Sequence, residues 1–229
     1  MRKICLLALA AALSAALFSC RQNPAGPPSS TVEPPRAGES RVAAPDARPA
    51  VVCFGDSLTA GLGLDPGQSF PDLLQHDLDS AGYRYRVVNL GVSGDTTEDG
   101  LARIGMVTAE KPAVVVVEFG ANDGLRGQPV SHIEADLAQI IETLRGAGTR
   151  VLLAGITLPP NYGPDYIHSF DAMYRALAAR YQVPLIPFLL ANVAGDPDLM
   201  QRDGMHPNAD GVRIVTATVW RALQPMLRR

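Results

Sequence analysis

Cysteine is nearly absent from this chain of 229 residues: Cys5, Cys20 and Cys53 are the only three. Cys5 and Cys20 both fall in an N-terminal segment that stands apart from the rest, so no internal disulfide framework can be built. Cys53 lies in an apolar run and reads as a small core hydrophobe rather than a reactive thiol. Paired-histidine and Cys/His ligand spacings are missing as well, which argues against a metal centre. The stretch Gly55–Gly63 lacks both the Gly-x-Gly-x-x-Gly spacing and a Gly-Lys-Ser/Thr ending, so phosphate cradling has poor support there. Neither sign of charge dominates: 20 Lys+Arg stand against 23 Asp+Glu, a balance with no electrostatic footprint for nucleic acid. What the chain does have is 47% hydrophobic residues, ample for one sizeable core.

Arg2 and Lys3 precede an apolar run from Ile4 to Phe18. It falls short of the roughly 20 residues a bilayer span requires and matches the core of a secretory signal peptide. Residues 1–19 are therefore expected to be removed on export. Leu17-Phe18-Ser19-Cys20 resembles a bacterial lipobox, although Phe18 is bulkier than the usual occupant. Two outcomes fit: lipidation at Cys20, or ordinary signal cleavage nearby that leaves a free thiol. By resemblance to the lipoprotein class, Arg21 rather than Asp after the cysteine implies an exported protein sorted to the periplasmic face of the outer membrane. Residues 20–49 are rich in Pro, Ala, Ser and Arg and read as a linker, tethering a domain that spans 50–229.

Within that domain, apolar β-branched runs at Ala50–Phe54, Arg86–Leu90, Ala113–Phe119, Arg150–Ile156 and Leu185–Phe188 predict five buried strands. Helical spacing predicts helices over Phe70–Ser80, Thr97–Ala109, His132–Arg145, Asp165–Tyr181 and Ala209–Leu223. Strict βα alternation implies an α/β fold, a five-stranded parallel sheet with helices on both faces in a three-layer α/β/α arrangement. Ligands in such folds bind at the carboxyl ends of the strands.

The first strand is followed by Gly55-Asp56-Ser57-Leu58-Thr59, which places a serine on a sharp strand-to-helix turn. A serine hydroxyl is a weak nucleophile until a base accepts its proton and a third group orients that base. Of the four histidines, His76, His132 and His168 lie in or beside helical patterns and read as surface or packing residues. His206 differs: Asp203-Gly204-Met205-His206-Pro207 sets a carboxylate three residues upstream in a loop before the last helix. Such a carboxylate can fix the imidazole tautomer and stabilise the imidazolium. Alone, the pattern reads equally as a helix cap beside a surface histidine; paired with an exposed serine it becomes specific. Donors for an oxyanion are available from the Ser57 amide, from Gly94 after the second strand, and from the Asn122 side chain after the third. Ordinary turn chemistry explains Gly94 and Asn122 just as well.

Gly-Asp-Ser-Leu, Ser-Gly-Asp-Thr, Gly-x-Asn-Asp and Asp-Gly-x-His-Pro occur in that order, and together they resemble the SGNH (GDSL) hydrolase pattern. Within that family the segments 124–127, 158–163 and 183–188 look most like the bacterial multifunctional thioesterase I, lysophospholipase L1 and arylesterase group, and the resemblance runs from about Val51 to Pro225. It implies a flavodoxin-like fold, a catalytic Ser57 with His206 and Asp203, oxyanion donors from Ser57, Gly94 and Asn122, and no metal or organic cofactor. It further implies a small-molecule ester or lipid substrate and a monomer. Two departures are visible: Ala121 stands where close relatives often carry glycine, and the stretch 61–66 varies in the family. The segment Gly120–Pro129 either closes over the acyl chain as a lid or is a static connection, with Leu125 and Asp123 as the expected substrate contacts. A carbohydrate acetylesterase on the same machinery, and a nucleotide- or flavin-binding protein of flavodoxin type, remain the alternatives.

Overall fold

A computed structural model describes residues 46–229; the expected signal peptide, Cys20 and nearly all of the linker lie outside the described residues. The strands are β1 (Ala50–Gly55), β2 (Arg86–Gly91), β3 (Val114–Glu118), β4 (Arg150–Ala154) and β5 (Leu185–Ile186). The helices are α1 (Ser57–Ala60), α2 (Phe70–Ser80), α3 (Thr97–Ala102), α4 (Ile104–Ala109), α5 (Ala121–Leu125), α6 (Val130–Gly146), α7 (Pro164–Tyr181) and α8 (Ala209–Leu223).

All five strands pair in parallel in the order β2-β1-β3-β4-β5, the α/β architecture that the alternating pattern predicts. Strands buried on both faces read as continuous apolar runs, and every residue of β1 and β3 is indeed buried. Helices α2 and α8 pack against each other, while α6 touches α3, α4 and α7. On α6, Ile133, Leu137, Ile140, Ile141 and Leu144 form one buried face. Capping boxes start α2 (Ser69 with Asp72) and α3 (Thr96 with Asp99), and the Asn208 side chain caps α8.

Besides β4, which ends at Ala154 and not Ile156, the structure departs from the sequence pattern in three places. The single helix expected over 97–109 is two helices broken at Arg103, whose backbone sits at φ −106°, ψ 14°. β5 stops at Ile186, because Pro187 has no N–H to continue the ladder. Two short helices, α1 and α5, were absent from the pattern: at one turn each they carry too few residues to show a period.

Because β2 lies on one side of β1 and β3 on the other, the chain reverses direction across the sheet at β1. The loops after these three strands therefore open a crevice at their carboxyl ends. Gly91, which ends β2, lies against the backbone of α1, so that an added Cβ would overlap Ala60 N. Gly91→Ala is accordingly expected to lower unfolding free energy by at least about 1–3 kcal/mol in urea titrations. An unchanged midpoint would show that α1 has room to shift.

Candidate active site

The first strand ends at Gly55, where a Cβ would lie 2.5 Å from both the carbonyl and a carboxylate oxygen of Glu118 at the end of β3. Only glycine allows β1 to run so close to its neighbour there. The chain then turns through Asp56, whose carboxylate accepts from the Leu58 amide at 3.0 Å and caps the one-turn helix α1. Gly61, at φ +80°, ends that turn. Ser57 is thereby held at the first position of α1, facing the crevice.

Ser57 Oγ lies 2.8 Å from His206 Nε2, and His206 Nδ1 lies 2.6 Å from Asp203 Oδ2. Asp203 Oδ1 also accepts from the amides of Met205 and His206, at 2.9 and 3.0 Å, so the loop itself builds a fixed cradle for the carboxylate. Burial works to raise the Asp203 carboxyl, but the hydrogen bonds from the His206 ring and the two amides outweigh it and hold it at about 2. It stays ionised at neutral pH. With Nδ1–H donated to Asp203, Nε2 presents a lone pair to the serine hydroxyl. The structure thus joins three residues that the sequence places 149 positions apart at the extremes. His76, His132 and His168 are all exposed, away from this chain of contacts.

Two of the three expected oxyanion donors are unengaged: the amides of Ser57 and Gly94 find no acceptor among the described residues. Gly94 sits at φ +90°, a conformation that favours glycine. Asn122 reaches the same cleft but commits both amide hydrogens, to Asp95 O at 2.9 Å and to Asp56 Oδ2 at 3.1 Å. It can serve an oxyanion only by sharing or exchanging one of these bonds.

Beyond Ser57 and His206 extends a cavity of about 570 Å³, whose walls include Leu62, Ile156, Leu158, Phe188, Leu190 and Met200. Leu158 and Phe188 fall in the segments 158–163 and 183–188 that carry the family resemblance, while the signal for the other four was only their position after strands or in the loops flanking the serine and histidine. Leu125 lines the cavity as expected. Asp123 does not: it is 4% exposed and accepts from the Thr97 amide (3.0 Å) and hydroxyl (2.6 Å), anchoring the start of α3 instead of meeting substrate. The reason is helical geometry, since neighbours on α5 project about 100° apart. Tyr162 Oη donates to Leu125 O at 2.8 Å, Tyr166 Oη to Gln128 O at 2.5 Å, and Arg126 to Gly94 O at 3.0 Å, so the segment 120–129 is pinned at three points. A smaller cavity of about 340 Å³ at the opposite end of β4, beside Arg145, Arg150 and Gln182, lies away from the chemistry.

Directly beneath α1 lies a pair of buried carboxyls. Glu118 Oε2 accepts from the Thr59 hydroxyl at 2.8 Å and from the Asp56 amide at 3.3 Å, which sets the Asp56 and Glu118 residues side by side. Burial and then the Asp56 charge push Glu118 well above the usual carboxylate range. Burial pushes Asp56 up to about 6, against the Leu58 amide and the Glu118 hydrogen bond, which pull it down. Both shifts favour the neutral form of the pair, most strongly at Glu118. A carboxyl raised by folding stabilises the fold fully below its unfolded pKa, and that contribution is lost as pH rises through the folded value. For Asp56 the window runs from about 4 to about 6. Thermal melts across that window should show wild-type protein losing about 1–3 kcal/mol that Asp56→Asn does not lose. Parallel profiles for the two proteins would refute the assignment.

Comparison with known proteins agrees with this geometry. Residues 53–214 match the model of the GDSL-like lipase/acylhydrolase family. The chain is 46% identical over 178 residues to esterase TesA of Pseudomonas aeruginosa, covering 77% of this chain and 89% of that one. It is 39% identical over 178 residues to thioesterase 1/protease 1/lysophospholipase L1 of Escherichia coli K12, covering 77% of this chain and 84% of that one. A crystal structure of TesA superposes with a TM-score of 0.76 at 46% identity, over 78% of this chain and 99% of that one. By motif order, fold and match, the chain belongs to the GDSL-like lipase/acylhydrolase family.

Proposed function

We propose that the chain is a serine ester hydrolase in which Ser57 is the nucleophile, His206 the general base and Asp203 the residue that orients it. The observation that carries this reading is the unbroken line of short contacts from Ser57 through His206 to Asp203, ending at the mouth of an apolar cavity. Ser57 Oγ attacks the ester carbonyl as Nε2 takes its proton, and the charge that forms on the carbonyl oxygen is met by the Ser57 and Gly94 amides. Nε2 then returns the proton to the leaving alcohol or thiol. A water, deprotonated by the same nitrogen, releases the acid from Ser57. Asn122 joins the oxyanion site as the third donor once it lets go of Asp56.

The cavity wall favours one substrate class over another. Leu62, Ile156, Leu158 and Phe188 offer a hydrocarbon chain a dry surface and offer a sugar few hydrogen-bonding partners. Aryl esters, medium-chain acyl esters and lysophospholipids fit that wall, as do the corresponding thioesters. The carbohydrate acetylesterase reading is weaker, since an acetyl group would leave most of about 570 Å³ unfilled. Phosphate binding at the turn after β1 is opposed by Asp56 and Glu118, two carboxyls packed directly behind it. The nucleophile, base and donors all come from one chain, an arrangement that supports the reading of a monomer. Export with lipid attachment at Cys20 rests on the charged start, the short apolar run and the lipobox resemblance.

On a ladder of p-nitrophenyl esters from acetate to palmitate, Ser57→Ala and His206→Ala should each lose about 10⁴-fold or more in kcat while keeping the fold. Asp203→Ala should lose less, and turnover should peak at medium chain length. A folded Ser57→Ala protein with wild-type turnover would end the proposal, and a peak at acetate would move it to the glycan esterase. For export, labelled palmitate should enter the wild-type protein in cells and be absent from Cys20→Ser. Equal labelling of the two would place the lipid elsewhere.

A further inference from the structure

The three oxyanion donors come from three separate segments, those following β1, β2 and β3, and nothing in the covalent chain keeps them in register. One side chain reaches the ends of β1 and β2, the segment after β2 and the first residue after β3. Arg103 stands at the break between α3 and α4, where the helix interruption turns its side chain toward the strand ends. Its Nη2 donates to Gly55 O at 3.0 Å, two residues before Ser57. Its Nη1 donates to Leu90 O at 2.8 Å, and its Nε to Asp95 Oδ2 at 2.6 Å, in the residue after Gly94. The guanidinium carbon stands 4.5 Å from the centroid of the Phe54 ring and 5.6 Å from that of Phe119, the residue that ends the run before Gly120. Asp95, held on its side chain by Arg103, accepts the Asn122 amide on its carbonyl oxygen at 2.9 Å.

We propose that Arg103 is the positioning residue of the oxyanion site, fixing the Ser57 amide, the Gly94 amide and the Asn122 side chain relative to one another. The inference rests on the serine hydrolase reading above and adds to it the residue that keeps its donors preorganised. Both the arginine and its Asp95 partner are largely buried, with side chains 16% and 15% exposed. The planar fork matters as much as the charge. Three different nitrogens reach three acceptors in different directions, which a lysine ammonium at the end of a flexible stem cannot reproduce. Arg103 touches no substrate atom. Its effect appears only where donors must already stand at the position the developing oxyanion will occupy.

The test pairs steady-state kinetics on p-nitrophenyl butyrate with covalent labelling by a p-nitrophenyl alkylphosphonate, whose tetrahedral phosphorus draws on the same donors. In Arg103→Met, kcat per labelled site and the labelling rate should both fall, by about 100-fold, the loss expected when one oxyanion donor is misplaced. KM should stay within about threefold of wild type, because the acyl wall is untouched. Arg103→Lys, which keeps the charge and can reach only part of the acceptor set, should fall between the two and carries the test if the methionine variant does not fold. Asp95→Asn combined with Arg103→Met should lose less than the product of the separate losses, as for two residues acting through one contact. A folded Arg103→Met or Arg103→Lys with kcat and labelling rate within about threefold of wild type overturns the proposal. So does a loss that disappears when rates are normalised to labelled sites. Failure of the phosphonate to label Ser57 in the wild-type protein would instead overturn the hydrolase reading itself.

Discussion

The contact of 2.8 Å between Ser57 and His206 is the interaction on which the site depends, and it joins the beginning of the domain to its end. No local preference can create it: the serine rides on the turn after β1, the histidine on the loop before α8. The contact exists because the sheet holds β1 between β2 and β3 and because Gln201 draws the two loops together. That glutamine donates to Leu62 O, beside the serine, at 2.7 Å and to Pro207 O, beside the histidine, at 2.9 Å. The imidazole meets its partner already oriented, since Asp203 is itself held by two amides of the same loop. Proton transfer therefore begins from a geometry the fold has set.

The same turn is the most constrained part of the sheet. Gly55 leaves room for a carboxyl, Glu118, to stand behind the serine, and burial and the Asp56 charge push that carboxyl well above the usual range. Burying two carboxyls side by side is unfavourable unless each is hydrogen-bonded. Thr59, Leu58, Asn122 and the Asp56 amide provide those bonds. The oxyanion site thus shares Asn122 with a structural pair, which couples the readiness of that donor to the charge on Asp56.

What could be read from the sequence was whatever the local chain writes down. Five apolar runs and their alternation with helical patterns carry the fold, and Ser57, Gly94, Asn122, Asp203 and His206 each stand in a short motif with its own turn chemistry. The structure brings these five into one crevice. Other parts were hidden for physical reasons. Arg103 acts on carbonyls 13 and 48 residues away, and a carbonyl leaves no mark on a sequence. Glu118 reads as the polar end of a strand, because the space that admits it is made by a glycine on the neighbouring strand. Asp123, beside Asn122 in sequence, inherits an expectation that a rotation of about 100° along the helix removes.

The tyrosine tethers on the segment 120–129 have an evolutionary consequence. Both hydroxyls grasp main-chain carbonyls, of Leu125 and Gln128, and not side chains. Mutational drift at position 125 can therefore enlarge, shrink or reshape the rim of the cavity while the segment remains fastened. A family that keeps such fasteners can diversify its acyl selectivity one substitution at a time without first losing the scaffold that makes each substitution readable to selection.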